Sequence, residues 1–110
     1  MPIETEHLDS GIAVVTVSGR LVLGRDVDRL ETAVHELLKE ERKKFVFDLS
    51  ALDYADSSGI GTLVACLTHI RKAGGELRMA GASARMLRLF QVTGVESLMS
   101  LYPTAAAATE

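Results

Sequence analysis

Cysteine is nearly absent from this chain of 110 residues. The single Cys66 can neither close an intrachain disulfide nor build a cysteine-based metal site. Positive charge is also in deficit. Twelve Lys and Arg against fifteen Asp and Glu leave a formal net charge of -3, whereas proteins that bind nucleic acid by neutralising phosphates are ordinarily basic. Nucleic acid is therefore not an expected partner. No apolar run approaches the ~20 residues that span a bilayer, so direct membrane insertion is not expected. The opening Met1-Pro2-Ile3-Glu4-Thr5-Glu6 is acidic and lacks the basic-then-apolar signature of a secretion leader. The expected compartment is the cytoplasm.

What remains is an ordinary globular composition, 47% hydrophobic and 25% charged, in a length that suits one core rather than two. A chain of this size buries about two thirds of its unfolded surface and needs no covalent staples. Ile3–Leu8 partly alternates, Asp9-Ser10-Gly11 is turn chemistry, and Ile12–Val17 is β-branched and apolar, which predicts a hairpin ended by Gly19. Leu21-Val22-Leu23 is a short apolar stretch broken by Gly24. Val27, Leu30, Val34, Leu37 and Leu38 recur at helical spacing, and the mixed-sign run Glu40–Lys44 reads as a solvated helix end. Phe45–Leu49 predicts a buried central strand. Asp53–Gly59 reads as a loop and Ile60–Ala73 as a second helix stopped by Gly74-Gly75. Glu76–Ala80 predicts a strand, Ala84–Val92 a third helix, and Leu98–Tyr102 a final short strand. The expected fold is α/β, a four- to five-stranded mixed sheet with helices packed on it. The expected domain runs over 1–102, followed by a frayed, Ala-rich tail at 103–110.

The informative segment is Asp56-Ser57-Ser58-Gly59-Ile60-Gly61-Thr62-Leu63, between the buried strand and a helix. Free backbone N–H groups point outward at such a junction. Ser57 or Ser58 is the expected N-cap. Gly59 and Gly61 weaken the helix and would thin the side-chain cover, so that a partner could approach the backbone. The segment is not a phosphate loop, because it has no Gly-Lys-Ser/Thr. It is not a nucleophile elbow, because Asp56 stands two before Ser58 where glycine is required. His7, His35 and His69 fall on separate segments without a ligand pattern, and Cys66 reads as a core residue. No catalytic residue, metal or cofactor is expected. Two readings of the serines stand side by side. They are simple caps, or they are sites where a phosphate of roughly -1.5 to -2 charge would change the surface that a partner buries.

With these residues in view, the chain resembles the STAS family of bacterial anti-sigma factor antagonists. The resemblance is carried by Asp56–Leu63, by the strand Phe45–Ser50, by Gly74-Gly75-Glu76-Leu77, and by Arg88-Leu89-Phe90-Gln91-Val92-Thr93-Gly94-Val95. It covers the chain from the first strand to about Tyr102. It implies a module that binds a serine-kinase anti-sigma factor, frees the sigma factor, and is switched off by phosphorylation. The phosphorylated serine falls on Ser58, with Ser57 as the alternative, and a phosphatase restores the free form. The implied partner surface comprises Asp56, Ser57, Ser58, Gly59, Ile60, Gly61 and Thr62, together with Leu23, Gly24 and Asp26. Val22 follows Gly19-Arg20-Leu21 where many kinase-regulated relatives carry an acidic residue; Asp26 and Asp28 lie slightly further on. The competing reading is a STAS module that is not phosphorylated and serves as a subunit of a signalling or transport complex. A nucleotide-binding enzyme is disfavoured, since no base and nucleophile pair is visible.

Overall fold

The computed structural model describes residues 3–8 and 10–109. Met1, Pro2, Glu110 and Asp9, the last part of the expected turn, lie outside the described residues. The chain runs through β1 (Ile3–His7), β2 (Ile12–Val17), β3 (Gly19–Leu21), α1 (Arg25–Lys39), β4 (Lys44–Asp48), β5 (Leu52–Ala55), α2 (Ser57–Lys72), β6 (Glu76–Ala80), α3 (Ala84–Thr93), a 3-10 turn (Glu96–Leu98), β7 (Leu101–Tyr102) and α4 (Ala105–Ala108).

The main sheet has five strands in the order β1-β2-β4-β6-β7. β1 pairs antiparallel with β2, Ile3 opposite Val17, and every later neighbour is parallel. This is the expected mixed α/β sheet. Crossovers between parallel strands are right-handed, and the strand order advances steadily, so α1, α2 and α3 gather on one face. The core lies there. Val15, Phe45, Phe47, Leu77 and Met79 from the sheet meet Leu30, Val34, Leu63, Ile70 and Phe90 from the helices. The apolar stripe of α1 is the one its sequence spacing predicts, and Asp26 and Asp28 in its first turn with Lys39 in its last complement the helix dipole. Ser83 caps α3 by accepting from the Met86 amide at 3.2 Å, and Gly94 ends it with φ +77°.

Four expectations are corrected. The second strand ends at Val17, and Gly19 opens a strand of its own: β3 pairs in parallel with β5 as a separate two-stranded sheet, Arg20 opposite Tyr54 and Leu21 opposite Ala55. Residues 52–55, three of the four expected in a loop, are therefore strand, and α2 starts at Ser57 rather than Ile60. The final strand is only Leu101–Tyr102, preceded by the 3-10 turn. The tail is not frayed over 104–109. Thr104 caps α4 by accepting from Ala107 N at 3.1 Å, Ala108 is buried with Ile12, Val46 and Ala80 on the outer face of the sheet, and the Arg78 guanidinium donates to the Ala108 carbonyl at 3.1 Å. Four alanines are too few to hold a helix alone; the apolar sheet face they cover holds it.

Candidate functional site

β3 and β5 end side by side, and each feeds one half of the site. β3 runs into the turn Val22-Leu23-Gly24, and β5 runs into Asp56 and the start of α2. Asp56 joins the halves. Its carboxylate accepts from the Gly59 amide at 2.7 Å as the helix N-cap, and from the Leu23 amide, 33 residues away in the chain, at 3.0 Å. Its own amide donates to the Leu21 carbonyl at 3.3 Å. The Leu23 amide first, then the Gly59 amide, hold the Asp56 carboxyl below its ordinary value of 3.8, because both bonds favour the charged form. Asp56 is therefore a fixed anion at neutral pH.

The N-cap is thus Asp56, which corrects the expectation of Ser57 or Ser58. Asp and Ser both cap well; the Leu23 amide, offered from the turn after β3, is what the carboxylate of Asp56 meets. The two serines are released from capping. Ser57 is exposed and Ser58 half-buried in the first turn of α2. The Ser58 carbonyl accepts from the Thr62 hydroxyl at 2.8 Å, whereas neither serine hydroxyl has a hydrogen-bond partner among the described residues.

The two glycines play opposite parts. A Cβ on Gly59 would sit 2.0 Å from the Leu21 carbonyl oxygen and 3.2 Å from Ala55 Cβ. Gly59 is buried, and its missing side chain lets α2 press against β3 rather than against a visitor. Gly61 is exposed, with open space where a Cβ would be. Ile60 and Thr62 are buried beneath the helix start. Of the residues expected at the partner surface, Ser57, Ser58, Gly61, Asp56, Leu23 and Gly24 are reachable from outside, while Gly59, Ile60 and Thr62 support them from below. Leu23 is 75% exposed, the most open of the large apolar side chains among the described residues. Gly24 turns with φ +120°, and Asp26 follows in the first turn of α1.

Nothing in the sequence signalled that Leu21 sets the need for glycine at 59, or that Asp56 would reach the Leu23 amide, because both contacts cross between distant segments. Among the described residues no group of three or more His, Cys, Asp or Glu side chains could hold a metal. His35 and His69, which show no ligand pattern in the sequence, meet edge to face across α1 and α2 with ring centroids 6.0 Å apart. Cys66 is buried in the core, and burial pushes its thiol up to about 12. No helix of the described residues is long and apolar enough to cross a membrane.

Comparison with known proteins gives one family. The family model described as STAS domain matches residues 3–108. The anti-sigma-B factor antagonist of Listeria monocytogenes is 26% identical over 98 residues, covering 89% of this chain and 81% of that protein. The anti-sigma-B factor antagonist of Bacillus subtilis is 34% identical over 53 residues, a match of 48% of this chain and about half (49%) of that protein's length. Among solved structures, an anti-sigma factor antagonist from Mycobacterium paratuberculosis superposes with a TM-score of 0.80 at 28% identity, over 97% of this chain and 89% of that one. The Bacillus cell fate determinant SpoIIAA in its phosphorylated form shares the fold, with a TM-score of 0.75 at 18% identity over 97% and 96% of the two chains.

Proposed function

The chain belongs to the STAS domain family, and we propose that it acts there as an anti-sigma factor antagonist: it binds a serine-kinase anti-sigma factor in the cytoplasm, releases the sigma factor, and loses that binding when Ser58 is phosphorylated. Relatives that match most of this chain bear the name anti-sigma-B factor antagonist, which supports the general role. The observation that carries the switch is the state of the helix start. Two serine hydroxyls stand there without partners, over a rigid base made by the Asp56 bonds and the Gly59 contact.

The physics of the switch follows from that arrangement. The free N–H groups and dipole of α2 tolerate a phosphate at its first turn, so the fold survives. The surface does not stay the same. A neutral hydroxyl becomes a near-dianion beside the fixed Asp56 carboxylate, and a partner closing over it must bury unpaired charge or meet like charge. Either costs several kcal/mol, enough to break a complex. A phosphatase acting on phosphoserine restores the hydroxyl and the binding surface.

Incubation with the serine-kinase anti-sigma factors of the same genome, with and without ATP, tests this by intact mass and peptide mapping. One phosphate on Ser58 is expected. A phosphate on Ser57, the more exposed of the pair, would keep the function and move the site. Ser58→Asp is expected to abolish binding at an unchanged melting temperature. Normal binding by that variant would sink the switch and favour a STAS module that serves a signalling or transport assembly without phosphorylation.

A further inference from the structure

Beside the helix start, two arginines share one tyrosine. Arg20 on β3 is the register partner of Tyr54 on β5, and its guanidinium carbon lies 5.3 Å from the Tyr54 ring centroid. Arg85, in the first turn of α3, places its guanidinium carbon 5.7 Å from the same centroid. With Asp53 these side chains line a hollow of about 420 Å³. Arg20, Asp53 and Arg85 are exposed, so the hollow opens to solvent.

One cation over a ring is ordinary packing. A second cation on the same ring repels the first, and no carboxylate of the described residues, Asp53 included, comes within 4.0 Å of either guanidinium to offset it. Both guanidinium groups lie beside the one ring and are exposed, so their N–H forks are open to an oxyanion, which such a fork takes through two parallel bonds. This cationic pair sits on a chain of net charge -3. Arg20 and the shared Tyr54 sit on the two strands that carry the site, since Arg20 directly precedes Leu21 and Tyr54 lies two residues before Asp56.

We propose that Arg20 and Arg85, held on Tyr54, are a docking site for an aspartate or glutamate carboxylate of the protein that closes over the α2 start. The inference rests on the reading of that helix start as a partner surface. The pair steers an acidic segment of the partner toward the serines and fixes its register; Tyr54 keeps the two forks apart and oriented.

Two measurements test it separately from that reading. The first is association with the serine-kinase anti-sigma factor at several salt concentrations, for the wild type, Arg20→Gln, Arg85→Gln and Tyr54→Phe. Loss of either charge is expected to slow association about tenfold at low salt and to flatten its salt dependence, with Tyr54→Phe near wild type because the ring remains. Arginine variants that bind with wild-type rates and salt slope, while melting like the wild type, overturn the docking site and leave the helix-start reading intact. The second needs no partner. The arginine Nε–Hε resonances are followed by NMR during titration with a hexaglutamate peptide and, separately, with inorganic phosphate. Saturable shifts of Arg20 and Arg85 with hexaglutamate are expected, lost in Arg20→Gln. Should this hold for a chain that binds no kinase, the carboxylate site stands and the helix-start reading fails. Larger shifts with phosphate at equal concentration, or no shift with either, overturn the carboxylate assignment.

Discussion

Two glycines two residues apart in α2 should respond to the same substitution with opposite signs. At Gly59 a new Cβ would lie 2.0 Å from the Leu21 carbonyl oxygen and 3.0 Å from its carbon. Both atoms are backbone, held in β3 by pairing with β5 and by the Asp56 amide, so no side chain can swing aside and α2 must back away by about 1 Å. Overpacking of this kind costs about 1–3 kcal/mol, and the rigid backbone puts Gly59→Ala at the upper end. The helix preference of alanine returns about 1 kcal/mol, leaving a net loss of about 2 kcal/mol. At Gly61 nothing lies within 4 Å of the added methyl, so only the helix term acts and Gly61→Ala should gain about 1 kcal/mol. The two variants should differ by about 3 kcal/mol, or about 12 °C in melting temperature at ~4 °C per kcal/mol for a domain of this length. Calorimetry or urea melts of both read this directly. A Gly59→Ala protein as stable as the wild type would refute the reasoning, since it would mean that the β3–α2 contact yields at little cost.

The remaining stability predictions come from titrating groups. The Asp56 carboxyl is held below its unfolded value of 3.8, so the stability it supplies is complete above that value and is lost as pH falls through the lower folded one. Asp56→Asn should therefore lose less stability than the wild type between pH 5 and 2 in urea melts; an identical acid limb would show that the two amide bonds do not bind the anion preferentially. Cys66, its thiol raised to about 12, should resist a disulfide reagent at pH 8 in the native protein and react fully after denaturation. Its contribution to stability is whole below the unfolded value of 9.0 and falls as pH rises toward 12. Rapid native reaction would mean that the α2 core opens often.

Long elements were legible in the sequence, and short or cross-linked ones were not. Val27, Leu30, Val34 and Leu37 announce α1 because about three turns of one period cannot be mistaken. Phe45-Val46-Phe47 announces a buried strand by its unbroken apolarity. β3 and β5 are three and four residues long, too short for any period to show, and each exists because the other lies beside it. The tail illustrates the same limit: Thr104 is a visible cap, but the outer sheet face that accepts Ala108 is assembled from β2, β4 and β6. At the site, the segment Asp56–Leu63 was legible as a helix start bearing accessible serines. The assignment of the cap was not, because Asp56, Ser57 and Ser58 are three consecutive capping residues and the choice among them is made by the Leu23 amide. The inward role of Gly59 was hidden for the same reason, since Leu21 is remote in sequence.

The bond from Leu23 to Asp56 also decides what can stand in for this protein. The recognition surface proposed above is a discontinuous epitope: one part of it comes from residues 22–24 and the other from residues 56–61, and the Asp56 carboxylate ties these two segments together. A synthetic peptide copying the serine segment would carry the phosphorylatable hydroxyls but neither the Leu23 side chain nor the backbone that β3 lends to Gly59. Antibodies raised against such a peptide would report on unfolded chain, and a peptide inhibitor built from it would lack half of the face it is meant to copy.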